Sequence, residues 1–292
     1  MGTDTATPDA AVIIPHYNDV TRLRRCLKSL MENDRTGVEI LVVDNGSTQS
    51  LEEVKVAFPE IRFLTETEKG AAAARNLGVR ESTAPLLFFI DADCVAAPDW
   101  LTKARDVAPL ADLIGGRVDV FDETPKPRSG AEAFETVFAF HNKNYVEKKA
   151  FSVTANLLTT RATFEAVGDF INGVSEDSEW CQRAVGKGYS IRYADTLVVS
   201  HPTRSDWSAL KRKWYRMTAE SFSNERQNGT SVFRWGLKAL SMPLSAIVHM
   251  PKVLTNSRLN GLGERGRAAA TLFRLRLQRM IWMLRQTLGL SI

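Results

Sequence analysis

Cysteine is the rarest residue in this chain: three of 292, Cys26, Cys94 and Cys181, widely spaced and odd in number. That argues against a disulfide framework or a cysteine-based zinc site and points to a reducing compartment. Glycine-rich phosphate loops are missing. Neither Gly-x-Gly-x-x-Gly nor the P-loop pattern follows an apolar run, which argues against a dinucleotide-binding dehydrogenase and a P-loop NTPase. Long apolar runs are missing too. Trp235 to Leu254 is interrupted by Lys238, Pro243, His249 and Pro251, whereas a membrane span needs about 20 mostly apolar residues. Met1 to Asp9 lacks a basic region followed by an apolar one, so no signal peptide is expected. Ala6 stands where myristoylation needs Ser or Thr. No internal repeat is evident.

What remains is a globular composition, 44% hydrophobic and 25% charged, in a chain long enough for one large domain or a domain with an appendage. The net charge of +4 hides an asymmetry. Residues 203–292 hold 16 Lys and Arg against 4 Asp and Glu, a balance of +12 that leaves −8 for the rest. An acidic body with a basic tail suggests two tasks.

Apolar runs alternate with helical patterns through the acidic part. Ala10 to Ile14 reads as a strand stopped by Pro15, followed by a polar loop His16-Tyr17-Asn18-Asp19, in which Asp19 caps a helix. Val38 to Val43 is a second strand, ending in Asp44-Asn45-Gly46-Ser47. Ile61 to Leu64 is a third, Ala71 to Glu81 a helix, and Pro85 to Ile90 a fourth strand. That order predicts an α/β fold: a mostly parallel sheet flanked by helices. Further on come a helix from Trp100 to Leu110 and a strand from Leu113 to Val120 with Gly115-Gly116 inside it. A helix from Ala131 to Tyr145 and another from Ser175 to Val185 follow, then two short strands, Ser190 to Tyr193 and Thr196 to Val199.

The fourth strand runs straight into Asp91-Ala92-Asp93. Ligands of open α/β sheets gather at the carboxyl ends of strands, and outward carboxylates there suit a divalent cation carrying phosphates. An acidic turn is the plainer alternative. Asp44 belongs to the same edge, as a nucleotide-binding group or a turn former. Arg75 is a candidate phosphate partner or a solvated helix residue. Glu176-Asp177 is a candidate base or a plain helix start, favourable to the dipole. Asn156 is a donor or acceptor contact or a loop-capping amide, and His201 a metal ligand, a phosphate contact or a structural imidazole.

Taken together, Val12-Ile13-Ile14-Pro15-His16-Tyr17-Asn18, Leu41-Val42-Val43-Asp44-Asn45-Gly46-Ser47, Gly70 with Ala74-Arg75-Asn76-Leu77-Gly78, and Asp91-Ala92-Asp93 resemble the family 2 glycosyltransferases. The resemblance runs through residue 201. It implies the GT-A fold over residues 1–203, with a nucleotide-sugar half (1–95) and an acceptor half (96–203). It also implies inverting, metal-dependent hexosyl transfer from a nucleotide diphosphate sugar, foremost a UDP-sugar. Pro15, Tyr17, Asn18, Asp44, Arg75, Asp91 and Asn156 would serve the donor. Asp91 and Asp93, the family's DXD motif, would hold Mn²⁺ or Mg²⁺ together with His201. Asp177 would be the base and Glu176 its neighbour. Asn45 departs from a position that often carries a second Asp. A nucleotidyltransferase on a similar sheet and a non-catalytic binding module are the rival classes.

Residues 204–292 read as a basic, amphipathic helical extension. Trp207, Leu210, Trp214 and Met217 form one stripe, and Phe273, Leu277, Ile281, Leu284 and Leu288 another. With Trp235 and Trp282, these suit an anionic membrane surface; packing on the catalytic domain or a homo-oligomer contact is the alternative. Bacterial surface polysaccharide or glycolipid synthesis on the inner face of the cytoplasmic membrane would fit, with a glycan or lipid-linked acceptor and no nucleic acid partner.

Overall fold

The computed structural model describes residues 7–173, 175–227 and 229–292. The first six residues, including the myristoylation pattern, lie outside them. The chain divides into two compact units, Met1–Asp119 with Phe140–His201, and Val120–Ala139 with Pro202–Ile292.

The first unit is built on one eight-stranded sheet, ordered β3-β2-β1-β4-β7-β6-β8-β5. Its strands are β1 (Ala10–His16), β2 (Val38–Asp44), β3 (Arg62–Thr65), β4 (Leu86–Phe89), β5 (Val95–Ala96), β6 (Leu113–Phe121), β7 (Leu157–Thr160) and β8 (Ile191–Pro202). β1, β2, β3 and β4 run parallel. β7 lies antiparallel between β4 and β6, an insertion the sequence reading lacked because Leu157 to Thr160 is too short to show a period. Side chains alternate across the sheet. Ala10, Val12 and Ile14 enter the core on one face, Ala11 and Ile13 the core on the other. Both faces are covered, which is why these strands read as unbroken apolar runs.

Helices α1 (Val20–Met31), α2 (Glu52–Ala57), α3 (Ala71–Glu81) and α4 (Trp100–Val107) fill the crossovers, followed by α6 (Asn142–Lys149), α7 (Arg161–Val167) and α8 (Glu176–Gly186). Asp19 caps α1 as expected, its side chain accepting from the Arg22 amide.

Pro15 does not stop β1. The strand continues to His16, with Pro15 opposite Val43 and His16 opposite Asp44. The His16 carbonyl accepts from Asn45 N–H on the β2 side. Pro15 therefore faces β4, whose ladder has already ended at Ile13–Phe89, and the missing N–H costs no ladder bond. β8 is one strand rather than two. Asp195, between the two expected strands, is exposed, and its carboxylate takes the Tyr193 hydroxyl at 3.0 Å and Arg117 at 3.4 Å. The helix expected over 131–145 is split at Phe140, whose φ is +45°, into α5 (Gly130–Phe138) and α6.

The second unit is helical: α5, α9 (Trp207–Gln227), α10 (Val232–Leu240), α11 (Met242–Leu254) and α12 (Gly261–Thr287). Ala131, Phe134, Leu210, Ala246, Leu272 and Leu275 share its core, so residues 120–139 belong here and not with the acceptor half. Glu135 is buried and takes Lys213 at 2.8 Å and Arg204 at 3.1 Å.

In α12 the stripe expected to suit a membrane surface, with packing as the alternative, is not the face that packs. Ala268, Leu272, Leu275 and Met283 are buried, while Phe273, Leu277, Ile281 and Leu288 are exposed. The helix carries apolar residues on two sides, and periodicity does not say which side meets protein. Nor are the tryptophans interfacial. Trp235 and Trp282 are buried, and Arg274 and Arg279 stack on Trp207 and Trp214, 4.0 and 4.8 Å from the ring centroids. Among the described residues no helix is long and apolar enough to cross a membrane.

Candidate active site

Asp44 is the last residue of β2, level with His16 of β1 and Thr65 of β3 at the carboxyl edge of the parallel strands. One carboxylate oxygen accepts from His16 Nδ1 at 3.0 Å and from the Ser47 hydroxyl; the other accepts from Ser47 N–H at 3.1 Å. The Asp19 amide donates to His16 Nε2 at 3.2 Å, which places the ring proton on Nδ1, toward Asp44. Burial works against the charge on Asp44, but the Ser47 and His16 hydrogen bonds outweigh it and hold the carboxyl below its usual range.

Asn18 adopts φ +50°, and its side-chain oxygen accepts from the amides of Thr48 and Gln49 at 2.8 and 3.1 Å. It clamps the loop after β2 and leaves Tyr17 62% exposed. Asn45 explains its own departure from Asp. Its amide donates to the carbonyls of Glu66 and Glu68 at 3.3 and 2.6 Å, and its oxygen accepts from Gly70 N–H at 2.7 Å. A carboxylate has no hydrogens for the two carbonyls. Gly70, at φ +132°, lies so close to Asn172 that a Cβ there would fall 2.1 Å from the Asn172 side chain.

Asp91 and Asp93 follow β4 and are half-buried. Arg75 is 3% exposed, and its guanidinium spans two carboxylates: Nη2 to Asp91 Oδ1 at 2.7 Å and Nη1 to Glu176 Oε1 at 2.9 Å. It is not a solvated helix residue. It ties the Asp91 loop to the start of α8. Asp93 points elsewhere, with Oδ2 3.1 Å from His201 Nε2, and the Phe140 ring lies 4.8 Å from the His201 ring. Burial, helped by the Asp93 charge, pushes the Asp91 carboxyl up against the pull of Arg75.

A divalent cation fits the Asp93–His201 pair. A carboxylate oxygen and an imidazole nitrogen already face one another, and that donor set suits Mn²⁺ as well as Mg²⁺. Among the described residues no three His, Cys, Asp or Glu side chains form a ready metal cluster. The other positions of such an ion are the kind that phosphate oxygens and water take.

Asp177 stands in the first turn of α8, half-buried, with one oxygen accepting from Ser178 N–H at 2.7 Å. Desolvation, then the charge of Glu176, pushes its carboxyl up to about 7. A carboxylate tuned there is poised to accept a proton near neutral pH. Trp180 anchors the helix by donating to the Gly168 carbonyl at 2.7 Å, and Arg183 donates to the Val167 and Asp169 carbonyls at 2.6 and 2.7 Å.

Asn156 is fully buried. Its oxygen accepts from Trp100 Nε1 at 3.0 Å, and both amide hydrogens go to the carbonyls of Arg117 and Leu197 at 2.9 Å. Nothing is left to donate to a sugar, so the expected donor contact is replaced by a strand-joining role. The Gly116 that reads as room for a ligand is room for this side chain, 2.1 Å from where a Cβ would sit. Sequence reasoning missed His16, Ser47 and Phe140. Ser47 sits in the quoted motif, but nothing in the local pattern pairs His16 with Asp44 or Phe140 with His201.

The family model described as Glycosyl transferase family 2 matches residues 11–168. The chain is 31% identical over 220 residues to the glycosyltransferase AglE of Haloferax volcanii, covering 71% of each chain. It is 27% identical over 217 residues to the pre-mycofactocin glycosyltransferase of Mycobacterium tuberculosis, covering 70% of this chain and 45% of that one. Among solved structures, the mannosyltransferase PcManGT from Pyrobaculum calidifontis, in complex with GDP-Man and Mn²⁺, superposes with a TM-score of 0.57 at 17% identity, over 99% of this chain and 77% of that one. S. aureus TarS 1-349 in complex with UDP gives 0.54 at 14% identity, over 92% of this chain and 90% of that one. These likenesses show the GT-A fold.

Proposed function

The chain belongs to glycosyl transferase family 2, and on that premise we propose that it moves a hexose from a nucleotide diphosphate sugar to an acceptor hydroxyl with inversion. The observation that carries this is Asp177, a carboxylate pushed up to about 7 at the start of a helix that Arg75 ties to the Asp91-Ala92-Asp93 turn. Asp177 takes the proton of the acceptor hydroxyl as its oxygen bonds to the anomeric carbon. The bond from that carbon to the diphosphate oxygen breaks with its electron pair, and the nucleoside diphosphate leaves. Attack from the face opposite the leaving group inverts the centre. Glu176, held by Arg75, fixes the first turn of α8.

On the donor side, Asp44 binds the base or ribose at the end of β2, beside Tyr17 and the loop clamped by Asn18. Asp93 and His201 would hold a divalent cation, Mn²⁺ or Mg²⁺, and Asp91 would serve that cation or the donor. When bound, such a cation offsets charge on the departing diphosphate. The neighbours above carry UDP in one case and GDP-Man with Mn²⁺ in the other; a UDP-sugar is our first candidate donor.

The acceptor is a glycan or lipid-linked alcohol, as in bacterial surface polysaccharide or glycolipid synthesis. The protein works as a peripheral enzyme on the inner face of the cytoplasmic membrane. The excess of 16 Lys and Arg over 4 Asp and Glu in residues 203–292 supports that placement. A panel of nucleotide sugars, incubated with the protein with and without Mn²⁺, tests the reading. Release of nucleoside diphosphate supports glycosyl transfer; release of pyrophosphate marks a nucleotidyltransferase, and no turnover or donor binding with any sugar marks a non-catalytic module.

A further inference from the structure

Helices α10 and α11 follow one another with only Ser241 between them, in a helical conformation. Their inward face is Trp235, Ala239, Met242, Ala246 and Val253, all buried in the second unit. The opposite face is apolar too. Phe233, Leu237, Leu240, Leu244, Ile247 and Leu254 are between 52% and 72% exposed. With Pro251 they recur at steps of four and three, so they form a stripe of about 32 Å of helical rise across both helices. A helix apolar all round is normally buried on every side. A single exposed Leu needs no explanation, but a contiguous apolar stripe of this length does.

The charges around the stripe identify what covers it. Between Glu225 and Glu264 the chain has five basic residues and no acidic one. Arg234 and Lys252 flank the stripe and are exposed; Lys238, also exposed, pairs with Glu225 of α9 at 2.7 Å. Packing two copies through it would bring Arg234 and Lys252 of one copy against those of the other, with no carboxylate on either helix to pair them. Ser241, Pro243 and Pro251 also break the regularity that a coiled-coil seam needs. An anionic bilayer supplies both halves of the complement, hydrocarbon for the stripe and negative headgroups for its flanks. Neither helix is long and apolar enough to cross, so the element lies in the interface.

We propose that the stripe Phe233, Leu237, Leu240, Leu244, Ile247 and Leu254 is the surface by which this protein lies on an anionic lipid bilayer. The inference rests on the peripheral placement proposed above and names the element that makes it. It is independent of the chemistry at Asp177, because donor turnover is measured without lipid.

The test is co-sedimentation of the full chain with vesicles of phosphatidylcholine alone and of phosphatidylcholine with phosphatidylglycerol, alongside the double variant Leu244→Glu/Ile247→Glu. Wild type should pellet with the anionic vesicles and lose binding as salt rises. The variant should bind at least about tenfold more weakly while melting like wild type, since both side chains are exposed. A second variant, Ile247→Cys, carries a polarity-sensitive dye. The native cysteines are all buried, so the label reports this position, and its emission should shift to the blue on anionic vesicles only. Equal binding by wild type and double variant, or an unshifted label, overturns the proposal. So does a wild-type dimer in lipid-free solution that the double variant dissociates, since that assigns the stripe to a second copy.

Discussion

His201 Nε2 lies 3.1 Å from Asp93 Oδ2, which joins the end of β8 to the turn after β4. Phe140 holds the imidazole from one side, 4.8 Å between ring centroids. If this pair takes the donor's cation, His201→Ala should weaken Mn²⁺ affinity by about 10–100-fold. Asp93→Ala should abolish Mn²⁺-dependent donor binding with the fold intact. Calorimetry of Mn²⁺ and nucleotide diphosphate binding decides it; unchanged affinities in both variants would remove the pair from the metal site.

Asp177→Asn should keep donor affinity and lose transfer by about 10²–10⁴-fold. A variant that loses donor binding but transfers normally once donor is bound would make Asp177 a donor ligand.

The same carboxyl predicts a pH profile. The base must be ionised, so kcat/KM should rise with pH and level off above about 7. Stability runs the opposite way. The folded value lies above the unfolded one of about 3.9, so the neutral form favours the fold, and its contribution is lost as pH rises from about 4 through 7. Asp177→Asn should flatten that part of the stability curve, as urea melts across the range would reveal. An unchanged slope contradicts the assignment of the shift to Asp177.

Arg75→Ala strips the partner from two carboxylates at once and should destabilise the chain by about 3–5 kcal/mol. Arg75→Lys should recover little, because an ammonium cannot span Asp91 and Glu176 as the guanidinium does. Urea unfolding measures both, and a loss under about 1 kcal/mol for Arg75→Ala would mean that the buried bridge contributes no more than a surface pair.

The parallel half of the sheet was legible in the sequence because β1, β2 and β4 are buried on both faces and so are written as apolar runs ending in Asp44 and Asp91. Ala71 to Glu81 was legible to the residue, bounded by Gly70 and by Ser82. What stayed hidden depends on partners distant along the chain. Arg75 has the spacing of an ordinary helix residue, and only the fold brings Asp91 and Glu176 to it. Asn156 reads equally well as a ligand contact until Trp100, Arg117 and Leu197 take all its hydrogen-bonding groups. For α12, the choice between two apolar sides was settled by packing against α5, α10 and α11, which no periodicity encodes.

The most direct measurement of the central claim is product analysis with the purified protein, Mn²⁺ and a panel of nucleotide sugars, beginning with UDP-sugars. The account predicts nucleoside diphosphate as the released nucleotide, with turnover lost in Asp177→Asn and donor binding retained. Pyrophosphate as the product, or full turnover in Asp177→Asn, would contradict it.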